Sequence, residues 1–108
     1  MNILPELQPA LADLTERFEG RIEAVHVARP NEVYFHAQME LVPGFCAQLY
    51  KKWNGRLVSL FADDARVQDG AFHIYYVFAL DAAHGFFILR VPGHNENCWL
   101  HGPKRARP

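Results

Sequence analysis

Residues 71–80 read AFHIYYVFAL, and the reading of this stretch decides the fold. It is rich in Val, Ile and aromatic side chains. The polar run DDARVQDG precedes it and DAAHG follows it, so it predicts a long β-strand between two turns. Side chains alternate across a strand. Phe72, Ile74, Tyr76, Phe78 and Leu80 therefore share one side, and His73, Tyr75, Val77 and Ala79 share the other. The first set should face a core beneath helices, which leaves His73 and Tyr75 on the opposite face.

Working outward, RLVSLFA (Arg56–Ala62) predicts a strand before it, and FFILRV (Phe86–Val91) completes a hairpin after it. Further upstream, IEAVHVA (Ile22–Ala28) and EVYFHAQM (Glu32–Met39) flank the turn signal Pro30-Asn31 and predict another hairpin. Leu4, Leu7, Leu11, Leu14 and Phe18 recur at helical spacing, with Asp13, Glu16 and Arg17 on the solvated side. Pro9 and Gly20 bracket the firm part of that helix, about Pro9–Glu19. A second helix, PGFCAQLYKKW (Pro43–Trp53), aligns Phe45, Leu49 and Trp53 on one face and ends at Asn54-Gly55. The order α-β-β-α-β-β-β predicts an α+β domain. Its mostly antiparallel sheet of about five strands carries two helices packed on one face. Residues 1–92 form the single domain, and 93–108 form a tail in which hydrophobic periodicity disappears.

Composition narrows the function classes. At 108 residues, 50% hydrophobic and 21% charged, the chain is one folded domain with a real core. Lys104, Arg105 and Arg107 account for three of its 11 basic residues, so residues 1–103 carry eight against 12 acidic ones. A mildly acidic body with a basic tip argues against nucleic acid as the main partner. No basic region leads into a long apolar segment near Met1, and no apolar run reaches the roughly twenty residues that span a bilayer. Cys46 and Cys98 are far apart and form no CxxC. Together these predict a cytoplasmic protein with two reduced thiols and no direct membrane insertion.

The segments LVSLFADD (Leu57–Asp64), FHIYYVFAL (Phe72–Leu80) and FFILRVP (Phe86–Pro92) resemble the N-terminal domain of the complex I 30 kDa subunit and its hydrogenase relatives. Those relatives belong to formate hydrogenlyase and other energy-converting, membrane-bound [NiFe] hydrogenases. The hydrogenase branch is the closer match: it too has a Leu-Val-Ser strand (here Leu57-Val58-Ser59), an Asp-containing turn and a His-x-Tyr-Tyr strand (His73 to Tyr76). The likeness covers about Ile22 to Pro92, and its motifs are structural rather than catalytic. It implies a cofactor-free subunit, without catalytic activity of its own, in the peripheral cytoplasmic arm of a redox complex. There it would contact the large and iron-sulfur subunits of a hydrogenase or quinone oxidoreductase. Two separated cysteines agree, since a Cys₄ iron-sulfur site cannot be assembled from them. Longer relatives continue into a Trp-Tyr-Glu-Arg-Glu segment that engages the large subunit. Here GHNENCWLHGPKRARP follows Val91-Pro92, with Trp99 succeeded by Leu100 and His101. The docking segment is thus expected to be missing or replaced. A free-standing accessory subunit, a truncated paralogue and a shortened reading frame all fit that departure.

Several constellations require weighing. His94, Cys98 and His101 are zinc-competent ligands, but zinc takes four, and their spacing matches no standard finger. A fourth would have to come from His26, His36 or Glu96, so a chain end is the simpler reading and a small metal-binding or sensing protein the alternative. Asp63, Asp64 and Asp69 lack the ligand rhythm of a calcium loop and predict a charged turn. Cys46, beside Phe45 and Leu49, predicts a buried, inert thiol. The rings of His73 and Tyr75 could stack bases, yet Arg56 and Arg90 are the basic residues of the last three strands, so an RNA-binding module is the weaker option. No GxSxG, P-loop, Rossmann glycine pattern or HExxH occurs. The leading expectation is a non-catalytic structural subunit acting through protein contacts at His73, Tyr75 and Trp99. An open sheet edge would also allow a homodimer.

Overall fold

The computed structural model describes residues 3–65, 71–81 and 84–93. A 3-10 turn (Pro5–Leu7) leads into helix α1 (Gln8–Arg17), followed by strands β1 (Ile22–Arg29) and β2 (Glu32–Ala37). Helix α2 (Val42–Trp53) comes next, and then strands β3 (Gly55–Ala65), β4 (Ala71–Leu80) and β5 (Gly85–Gly93). The expected α+β architecture, its element order and the placing of both helices on one face are all present. The tail, with His94, Cys98, Trp99 and His101, lies outside the described residues.

Local chemistry sets the helix ends. Pro occupies the first turn of both helices, where its missing N–H would have no partner in any case. Helix α1 gives way at Phe18, and the chain reverses through Gly20 at φ 84°, closed by Arg21 N–H donating to the Phe18 carbonyl at 2.9 Å. Nothing crowds a Cβ at Gly20, so the left-handed backbone rather than space selects glycine there. Asn54 caps α2 in the left-handed region and donates its backbone N–H to the Leu49 carbonyl.

The sheet runs β1-β2-β5-β4-β3. The pairs β1/β2, β4/β5 and β3/β4 are antiparallel, while β2 and β5 are parallel, with His36 opposite Arg90. Both hairpins predicted from the sequence are therefore present. The central position of β5 explains its nearly unbroken apolar run: Phe87, Leu89 and Val91 point into the core, and Ile88 on the other face is also buried. Several boundaries differ from the expectation by one to three residues, and β5 takes in Gly93, which the sequence reading assigned to the tail. The difference that bears on candidate residues is in β3. Asp63 and Asp64 belong to β3, paired with His73 and Phe72, rather than to a turn. Ladder hydrogen bonds to β4 prevail over the local turn preference of aspartate.

Leu7, Ala10, Leu14 and Phe18 from the first helical segment meet Phe45 and Leu49 of α2 over Val33, Phe35, Phe87, Leu89 and Phe78. Phe45 sits at the junction, with its ring centroid 5.1 Å from Phe35, 5.9 Å from Phe78 and 6.1 Å from Phe18. Each such buried side chain contributes about 1.5–3 kcal/mol relative to exposure. Ile74, Phe78 and Leu80 do face this core, as the alternation of residues 71–80 requires.

Candidate protein-contact surface

No helix covers the second face of the sheet among the described residues, and Phe61 and Phe86 stand exposed on it. Cross-strand register arranges them in rows. One row runs from Ala24 through His36, Arg90 and Tyr75 to Phe61. The next runs from His26 through Tyr34, Ile88 and Val77 to Ser59. Tyr75 and Phe61 stack face to face, 4.8 Å between centroids and 10° between planes. His26 and Tyr34 tilt together at 6.4 Å. The result is a largely apolar and aromatic surface with a short basic seam.

Tyr75 stands where the sequence placed it, half-buried near the middle of this face. His73 is on the same face but only 8% exposed, opposite Pro92 on one side and Asp63 on the other. It therefore offers a small area to a partner, whereas Phe61 and Phe86, at 49% and 40% exposed, offer more. Sequence reasoning missed both rings, because strand alternation identifies a face but not how far its neighbours shield each residue.

A shallow depression of about 230 Å³ is bordered by Glu23, His36, His73, Arg90 and Pro92. Burial holds the His36 imidazole below its ordinary pKa, the nearby Arg90 charge adds to that effect, and Glu23 opposes it. The Tyr34 hydroxyl is raised, first by burial and then by Glu32. Neutral His36 beside the fixed charge of Arg90 can accept or donate a hydrogen bond, and only Arg90 carries a permanent cation in this seam.

The other candidate residues stay apart. Cys46 is half-buried against the core, where burial pushes its thiol up and away from reactivity. Among the described residues no three His, Cys, Asp or Glu side chains gather as a metal site. Also among them, no helix is long and apolar enough to cross a membrane.

Comparison with known proteins adds a relationship to this geometry. The chain is similar to hydrogenase-4 component G of Escherichia coli (strain K12). The two are 27% identical over 90 residues, which take in 83% of this chain and 14% of component G. The chain thus spans about a seventh of that relative's length. No family model matches the chain. The match to component G supports the hydrogenase side of the resemblance carried by Leu57–Pro92, and its extent takes in most of the α+β domain.

Proposed function

We propose that this protein is a non-catalytic structural and assembly subunit of a membrane-bound hydrogenase complex. It acts through contacts with the large and iron-sulfur subunits. The observation that carries this reading is the similarity to component G across 83% of the chain. The helix-free sheet face supports it, since a surface of Phe61, Tyr75, Phe86 and Arg90 has the aromatic and arginine character of protein interfaces. A role without electron transfer rests on the cysteine count: two distant thiols build no cluster site. The domain then positions redox subunits at the cytoplasmic side of the membrane, with Trp99 as a further contact residue.

Affinity purification of the tagged chain from its native host, followed by mass spectrometry, tests the proposal. Hydrogenase large and iron-sulfur subunits should co-purify. Recovery of the chain alone, or with unrelated proteins, overturns the reading.

A further inference from the structure

The two edges of the sheet are finished differently. Strand β1 turns Glu23, His26 and Arg29 outward and carries two register shifts, features that discourage pairing with another chain. Strand β3 has 11 residues, no Lys and no Pro. Leu57, Val58, Leu60 and Phe61, four of the seven exposed large hydrophobics among the described residues, lie on it. Beside it, an apolar groove of about 280 Å³ is lined by Leu60, Phe61, Ala62, Ile74 and Tyr76, all of them strand residues. No described strand pairs with its far side.

We propose that this edge joins two copies of the chain, β3 against β3 and antiparallel, about a two-fold axis at Leu60. The charge pattern of the strand selects this occupant. Measured against β4, Leu60 lies opposite Tyr76, Arg56 opposite Ala79 and Asp63 opposite His73. The bulge between Leu57 and Ser59 takes up one residue, so Arg56 and Asp63 stand equally far from Leu60 in opposite directions. Both are exposed, and both belong to the helix-free face. A two-fold axis at Leu60 therefore sets Arg56 of each copy opposite Asp63 of the other, once at each end of the contact. It also sets Leu60 against Leu60, and Leu57 against Ala62, on the helix side. Moving the axis one rung either way puts Arg56 opposite Phe61 or Ala65 and loses both ion pairs. Within its own copy Arg56 also holds Asp81 at 2.9 Å. Closed two-fold pairing also uses up the free edge, so the sheet becomes ten-stranded and stops growing.

Sedimentation equilibrium of the full chain over a dilution series should show a reversible dimer. Leu60→Lys, which places two ammonium groups on the axis, should give a monomer with unchanged circular dichroism and a melting temperature that no longer depends on concentration. Asp63→Arg should weaken association about tenfold, because two pairs turn repulsive. Leu60→Cys should form an intermolecular disulfide under mild oxidation, while the exposed helical control Tyr50→Cys should not. A monomer at all concentrations overturns the proposal, as does cross-linking of Leu60→Cys no faster than the control. Slow β3 amide exchange in a monomer overturns it in favour of a cover from the chain itself. Protection of β3 only within a hydrogenase complex overturns it in favour of a foreign partner.

Discussion

At the scale of single residues, Asp13 has the largest unforeseen role. Its Oδ2 accepts hydrogen bonds from Trp53 Nε1 and Gln48 Nε2, both at 2.8 Å, and Lys52 Nζ lies 3.8 Å from Oδ1. One carboxylate thus fastens α1 to the last turns of α2. Burial works to raise its pKa, but the two donated bonds and the charges of Lys52 and Arg17 outweigh burial and hold it below 3.8. Asp13→Ala should cost about 1–3 kcal/mol in denaturant unfolding, since Trp53 and Gln48 lose a charged acceptor. The sign with pH follows from the lowered value. The stabilisation is complete above the unfolded carboxyl's pKa and fades as pH falls through the folded one, so wild type and variant should converge in acid. Gly85 illustrates a different constraint: a Cβ there would lie 2.6 Å from Leu7 Cδ1, and Leu7 is fully buried. Gly85→Ala should lower stability by about 1–3 kcal/mol, read by thermal unfolding.

At the scale of elements, α2 is the keystone. Phe45 touches rings from α1's end, β2 and β4, so Phe45→Ala should cost about 3–5 kcal/mol and approach the stability of the whole domain. Folding of that variant is checked by near-ultraviolet circular dichroism, which reports fixed aromatic packing. The parallel β2/β5 pair places Arg90 against His36. Because burial and Arg90 both disfavour the imidazolium, proton NMR should find His36 titrating below 6.5, and Arg90→Gln should move it upward without restoring the full value. The folded state therefore binds this proton more weakly than the unfolded one. That contribution to stability shrinks as pH falls from 6.5 toward the folded pKa.

At the scale of the whole molecule, the described residues present a broad mixed sheet face and a narrow apolar edge. The proposed subunit contacts use the face, and the proposed self-association uses the edge, so mutations should separate them. Tyr75→Ala should change stability by about 1 kcal/mol while reducing recovery of hydrogenase subunits in affinity purification. Leu60→Lys should leave that recovery intact. Loss of both functions on changing either residue would mean that one surface serves both.

Element identity was legible in the sequence wherever periodicity was strong. Residues 71–80 alternated cleanly, residues 4–18 kept helical spacing, and Pro and Gly marked most ends, because local backbone preference and burial pointed the same way. The face bearing His73 and Tyr75 was legible for the same reason. Other features were settled only in three dimensions. Which strands become neighbours put β5 beside β2 and so brought Arg90 to His36. Helix packing turned Asp13 from a solvated residue into a clasp. Burial to 8% exposure reduced what His73 can offer, while Leu60 and Phe61 stayed exposed on an outer strand. A period reports direction relative to one element's own axis, and contact depends on what lies across from it.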